Sequence, residues 1–401
     1  MSGDRDDRLV HYHVGGRAGS TSLDVPAAFA EDMVVVLFDA DENCVALSEA
    51  LGRKTRANTI SVPYYVGRGD GETSLHLNYD PFTSSSYEIN PSFAAYYTNA
   101  GGMDYVLGEA TAPLSKVKVR SHSLDQLCLG EEATLELPDI LTLDTQASEL
   151  DILQGASHLL DDTVLAVVTE VQFNEMYRGG PLFGDISSFL LQKGFLFADF
   201  HDISRFAPLR GRIGSRSEGL CLAGDAVFLR DPQRIAASWG DRADPALRKL
   251  AFLALCHQQL EFAQLCLDLC RHRNAAIGTT TYLRFLDEFA AACAALPPDR
   301  PWTYAEAYTP EASRALTEPA RESEAARIKA EMAAKAMREA EKQQRMPAAG
   351  AVADLLERYG FAYAARVRRF QELVLQAYRD SIAHWMAMAR TPSNDRGKPP
   401  G

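Results

Sequence analysis

No run of eighteen apolar residues occurs anywhere in this chain of 401 residues, so no helix of it is expected to cross a membrane. No Cys-x-x-Cys pair occurs among its seven cysteines, and an odd number cannot close into a full disulfide framework, which points to a reducing compartment. Cys266 and Cys270 share a helix face, but no histidine stands in register with them, so small buried hydrophobes are expected there and a metal site is not. Positive charge is in deficit: 41 Lys and Arg against 54 Asp and Glu leave a formal charge of -13, which repels nucleic-acid backbones and anionic membrane surfaces as principal partners. The opening Met-Ser-Gly-Asp-Arg-Asp-Asp-Arg has no apolar stretch behind it, so the expected location is the cytoplasm. What the chain has in plenty is apolar residues, 46%, enough to fill two domain cores.

The most informative stretch is 140–156. Ile140, Leu141 and Leu143 form a short apolar run that stops at Asp144, and a helical pattern then carries Leu150, Leu153 and Ala156 on one face. That is a buried strand running into a helix. A parallel strand buried on both faces delivers its last side chain to the carboxyl edge of the sheet, where open α/β folds bind their ligands. Asp144 therefore either takes part in chemistry or caps the helix that follows it.

Other apolar runs end in the same manner. Leu9 to Val14 opens into Gly15-Gly16-Arg17-Ala18-Gly19-Ser20, whose glycines let backbone come close to a cofactor. Met33 to Phe38 ends in Asp39-Ala40-Asp41, and an acid at the tip of the second strand is where nucleoside-binding doubly wound folds hold ribose hydroxyls. These acids otherwise cap a helix starting near Glu42. Ile60 to Val66 reads as a third strand, while Glu72 to Asn78 and Lys116 to Val119 alternate as half-exposed strands. The segment from Asp80 to Tyr87 is turn-rich, either a plain loop or a substrate-side one. Val164 to Val168 leads into Thr169-Glu170, which puts Glu170 at the same edge as Asp144. Phe183 to Gln192 is an amphipathic helix, and Phe195 to Phe200 and Leu220 to Phe228 are the closing strands, with Gly224-Asp225 an irregularity. The sum is an alternating α/β pattern of about seven strands.

The stretch at 140–156 resembles the signature of the FkbM family of S-adenosylmethionine-dependent methyltransferases, usually Lys-x-Asp-x-x-Gly-x-Glu-x-x-x-Leu-x-Gly-Ala. Asp144, Glu149, Leu153, Gly155 and Ala156 match in register, whereas Thr142 stands for the usual lysine and Ala147 for the usual glycine. Gly15 and Gly19 fall on the two glycines of the family's cofactor loop, Asp-x-Gly-Ala-Asn-x-Gly, with His13 in place of the acid. Phe38, Asp39 and Asp41 resemble the family's Phe-Glu-Pro-Asp, with Ala40 for proline. The resemblance covers roughly residues 9 to 231. It implies a Rossmann-like class I methyltransferase sheet, S-adenosylmethionine as cofactor held by His13, Gly15, Gly16, Gly19, Asp39 and Asp41, and Asp144 with Glu170 as the catalytic acids. It also implies methyl transfer to a hydroxyl of a sugar, glycan or other small metabolite.

From Asp231 onward no strand signal reappears, and Ala246 to Cys256, Leu260 to Arg271 and Thr280 to Leu296 carry apolar residues at helical spacing. The expected division is a methyltransferase domain over 1–231, a helical domain over 232–300, and long helices with a disordered tail over 301–401. The apolar face of Val352 to Met388 needs a partner surface, another helix of this chain, a second copy or another protein. A second function class stays open on sequence alone. The departures at His13, Thr142 and Ala147 suit a domain that has lost turnover and serves as a scaffold through its helical C-terminal region.

Overall fold

The computed structural model describes residues 7–15, 25–40, 58–94, 99–100, 107–207, 219–271, 280–294, 332 and 351–369. The chain divides into two compact units, Met1–Leu286 and Asp287–Gly401.

In the first unit the strands are β1 (Leu9–Gly15), β2 (Met33–Phe38), β3 (Asn58–Val62), β4 (Tyr65–Val66), β5 (Gly71–Asn78), β6 (Asn99–Ala100), β7 (Pro113–His122), β8 (Ile140–Asp144), β9 (Ala166–Gln172), β10 (Phe195–Ala207) and β11 (Leu220–Arg230). The main sheet has eight strands in the order β3-β2-β1-β8-β9-β11-β10-β6, the last a two-residue edge piece beside seven longer strands. β1, β2, β3, β8 and β9 run parallel, and β11 runs antiparallel to both β9 and β10. This is the Rossmann-like α/β arrangement expected. Its order reverses between β1 and β8, and at such a switch point the connections leave the sheet in opposite directions and open a crevice at the carboxyl ends of the strands.

Continuous apolar runs produce the buried strands: Val34, Val36, Phe38, Leu141, Leu143, Val167 and Val168 are almost fully buried, as parallel strands covered on both faces require. Four helices matter for the site: α1 (Leu124–Leu129), α2 (Glu149–Gly155), α3 (Ser157–Asp162) and α4 (Phe183–Gln192). The face of β1 that carries Tyr12 packs into one core with Phe38, Ile152, Leu153, Leu160 and Leu190. α5 (Ala243–Cys256) is buried along most of its length, and the Lys249 ammonium reaches Asp139 Oδ2 at 2.7 Å, an oxygen that also accepts the Val10 N–H at 3.0 Å. Phe252 of α5 stacks edge-on with Phe29, and Tyr282 donates its backbone N–H to Asp32 at 2.8 Å.

The third strand differs from expectation. The run from Ile60 to Val66 divides at Pro63: Asn58–Val62 joins the main sheet beside β2, while Tyr65–Val66 pairs with β7 in a separate sheet of order β4-β7-β5. Proline has no N–H to continue a ladder, and Tyr64 N turns back to Val62 O at 2.9 Å. The small sheet is two-faced. Leu75 stands opposite Val117 and Thr73 opposite Val119, while the other face pairs Glu72 with Arg120 and Ser74 with Lys118.

In the second unit α6 (Ala351–Arg358) buries Val352, Ala353, Leu355 and Leu356. Arg358 meets Glu288 at 2.7 Å, and Arg368 bridges Asp354 and Glu357 at 2.6 and 2.7 Å. Of the long helices and tail expected over 301–401, all but residues 332 and 351–369 lie outside the described residues.

Candidate active site

At the switch point a cleft of about 840 Å³ lies between the carboxyl ends of β1, β2 and β8 on one side and the small sheet on the other. Gly15, Asp39, Asp144, Thr145, Gln146 and Ser148 line the first wall; Tyr64, Tyr65, Leu75, Leu77, Val117 and Val119 line the second. The wall from the small sheet is its apolar face.

Gly15 is fixed by geometry. It has φ +84° and stands beside Asp144 in the β1–β8 register, where an added Cβ would lie 1.9 Å from the Asp144 carbonyl oxygen. Only a residue without a side chain lets the two strands end this close together. Asp39 follows directly on β2, its backbone N–H reaching Val62 O at 3.4 Å, and it lines the cleft.

Asp144 and Glu170 are brought together by a third residue. Gln146 Nε2 donates to Asp144 Oδ1 at 3.0 Å and to Glu170 Oε2 at 2.9 Å, while its Oε1 accepts from the Tyr177 hydroxyl at 3.0 Å. The same hydroxyl lies 2.8 Å from Thr83 O, and the Ser85 hydroxyl donates to the Gln146 carbonyl. Gln146 and Ala147 have φ of +57° and +77°, so Ala147 occupies in left-handed form the position where the FkbM signature carries glycine. Such backbone costs a non-glycine residue roughly 1–2 kcal/mol, and the surrounding bonds must hold it.

The acids form an electrostatic group. Burial raises the Glu149 carboxyl to about 7, against the lowering effect of the Thr145 N–H and hydroxyl, which lie 2.8 and 3.1 Å from its Oε1. Burial also raises Asp144, opposed by the bond from Gln146. Glu170 is pushed well above the usual carboxylate range by burial, then by Asp144, Glu149 and Asp225. Asp225, paired across the β9–β11 ladder with Glu170, is raised to about 6 by burial and by Asp144 and Asp202. Among the described residues no Lys or Arg forms an ion pair with these four carboxyls, and no group of three or more His, Cys, Asp or Glu is arranged to hold a metal.

The sequence-predicted residues fall into three sets. Gly15, Asp39 and Asp144 line one cleft, and Glu170 is joined to it through Gln146. His13 does not line the cleft; it is buried, with Nδ1 2.7 Å from the Thr142 hydroxyl, which His11 Nε2 also meets at 2.7 Å. Gly16, Gly19 and Asp41 lie outside the described residues. Sequence reasoning missed Gln146, because the bonds that fix it come from Ser85 and Tyr177, 61 and 31 positions away. The sequence signal open to use was its place two residues past the strand-end acid, in the turn before α2.

A mostly parallel sheet with its cleft at the switch point defines a Rossmann-like α/β protein. Residues 13–197 match the family described as the methyltransferase FkbM domain. That part of the chain is similar to the methyltransferase FkbM domain. Among solved structures, the crystal structure of methyltransferase FkbM from Methylobacillus flagellatus KT aligns at 11% identity over 56% of this chain and 44% of that one, with a TM-score of 0.28. The chain thus spans less than half the length of that protein. No curated protein matches. Among the described residues no helix is long and apolar enough to cross a membrane.

Proposed function

We propose that this protein transfers a methyl group from S-adenosylmethionine to a hydroxyl oxygen of a small-molecule or glycan acceptor. The observation that carries the proposal is the meeting of Gly15, Asp39 and Asp144 on one cleft wall. The residues suit the cofactor: at Gly15 the chain leaves no room for a Cβ, Asp39 offers a carboxylate to ribose hydroxyls, and the volume falls within the usual range for such ligands. When bound, the cofactor supplies an electrophilic methyl group on a sulfonium.

The protein's task is then alignment and proton removal. Asp144 would accept the acceptor's hydroxyl proton as the methyl–sulfur bond breaks and the methyl–oxygen bond forms, leaving a neutral thioether, so the site would gain one proton for each ether formed. The small sheet's apolar face keeps water from the acceptor side. The scaffold alternative draws on departures at His13 and Thr142, which are hydrogen-bonded to each other off the cleft wall and leave the lining residues Gly15, Asp39 and Asp144 in place.

Two variants test this. Asp39→Ala is expected to raise the Kd for S-adenosylmethionine by roughly ten- to a hundredfold, the worth of one charge-assisted hydrogen bond, with the melting temperature unmoved. Isothermal titration measures it, and an unchanged Kd would reduce Asp39 to a helix cap. Asp144→Asn should keep cofactor binding while methyl transfer to a panel of hydroxyl acceptors stops. Transfer at the parent rate would remove Asp144 from the chemistry.

A further inference from the structure

Asp144 and Glu170 are both acids, both largely withdrawn from water, and held by the same amide. We propose that Gln146 is a positioning residue that gives the two unlike states: Asp144 ionised and turned to the cleft, Glu170 neutral and fixed behind it. This deepens the methyltransferase reading and rests on it only for what Asp144 acts upon.

The argument begins with the amide's inventory. A side-chain amide has two N–H donors and one carbonyl acceptor. In Gln146 the donors go to Asp144 and Glu170, and the carbonyl takes the Tyr177 hydroxyl. A flipped amide would turn its carbonyl oxygen toward two carboxyl oxygens, which is tolerable only if both acids are protonated. The observed orientation is the one that supports negative charge. The backbone gives the side chain little freedom, since Gln146 and Ala147 are both left-handed and Ser85 holds the Gln146 carbonyl.

The two acids differ in everything except this shared donor. Asp144 ends its strand and lines the cleft, so solvent or an acceptor hydroxyl can reach it. Glu170 sits within β9, one strand farther from the switch point, with Asp225 opposite it on β11 and Asp144 beside it on the other flank. The Gln146 N–H is the hydrogen-bond donor to its carboxyl, and the nearby ionisable groups on β8, α2 and β11 are Asp144, Glu149 and Asp225, all acids. Two neighbouring carboxylates in such surroundings do not both ionise, and the one nearer water ionises first. A neutral Glu170 leaves Asp144 as the negative charge beside Gln146, free to serve as base. Burial and the neighbouring acids push Glu170 well above the usual carboxylate range, in agreement.

The test is infrared spectroscopy of the full chain at pH 8, where Glu149 and Asp225, raised only to about 7 and 6, are mainly ionised. A protonated-carboxyl band that shifts in deuterium oxide is expected in the parent, lost in Glu170→Gln and kept in Asp144→Asn. Loss in Asp144→Asn with retention in Glu170→Gln would reverse the roles. Absence of the band in the parent would overturn the assignment, because both acids would then be ionised. Gln146→Met keeps the side chain's length and removes its donors, so Asp144, followed by aspartate-selective carbon-13 labelling, should ionise about one pH unit higher or more. An unmoved Asp144 titration would overturn the positioning role. If Gln146→Met does not fold, the comparison of Glu170→Gln with Asp144→Asn still decides which acid holds the proton. Titration of the parent with S-adenosylmethionine separates the two proposals: no binding sinks the methyltransferase reading, whereas the infrared result needs no ligand.

Discussion

Thr142→Lys alone is expected to cost the fold about 3–5 kcal/mol, His13→Asp alone a similar amount, and the two together far less than their sum. The reason lies in the β1–β8 ladder, where His13 stands directly opposite Thr142 and their side chains meet at 2.7 Å in a fully buried setting. These are the two positions at which the FkbM signature carries an acid and a lysine. The chain has replaced a pair of opposite charges by a neutral hydrogen-bonded pair, with His11 as a third member on the same hydroxyl. Restoring one charge without the other buries it unpaired, and restoring both gives each its partner. A double-mutant cycle on urea unfolding reads the coupling, expected at about 2 kcal/mol or more. Additive losses would show that the two positions do not act as a pair.

Stability is expected to stay nearly level between pH 4.5 and 6.5, the ordinary values for glutamate and histidine, and to fall on both sides. Two buried groups oppose each other there. Burial lowers His11 to about 3, His13 to about 4 and His257 to about 3, so below 6.5 the unfolded chain takes up protons that the native state refuses. Their contribution is complete above pH 6.5 and is lost as pH falls toward 3–4. The raised carboxyls work the other way: Glu149, Glu170 and Asp225 hold protons in the native state that the unfolded chain has released, which favours folding more as pH falls. Each such group changes stability by about 1.4 kcal/mol per pH unit, and the two sets nearly cancel. Below the window only the histidines act, and above it only the carboxyls, so both flanks descend. In Glu170→Gln one carboxyl leaves the balance, and the level stretch should tilt by about 1.4 kcal/mol per pH unit, lower on the acid side. Urea midpoints across the range provide the measurement, and an untilted profile would mean that Glu170 is ionised throughout.

What was legible in the sequence follows from how each feature is encoded. Met33–Phe38 and Phe183–Gln192 appear with the expected bounds because an unbroken apolar run and a helical stripe are local signals. The strand ends Gly15, Asp39 and Asp144 are legible for the same reason, since the run stops where the side chain leaves the core. Features that depend on a distant partner are not. Asp125 opens α1, where Ser123 provides the cap, but its carboxylate accepts from His158 N and Leu159 N at 2.9 and 3.1 Å and so caps α3. His13 reads as a cofactor ligand from its place in a motif, and only the neighbouring strand shows that its ring turns to Thr142. The division at Pro63 was signalled by the proline itself, although the second sheet that Tyr65 joins depends on β7, some fifty residues away.

The position of β11 bears on where this domain can be cut. Among the described residues β11 is the last strand in sequence, but it lies between β9 and β10 in space. The stretch that matches the methyltransferase family stops at residue 197, three residues into β10. A segment ending there would leave β9 with an open edge and β10 with no neighbour to pair with. A fragment that keeps this sheet whole therefore runs at least to Arg230, where β11 ends. It gains a further anchor at Lys249, whose buried ammonium holds Asp139 at the entry to the strand that carries Asp144.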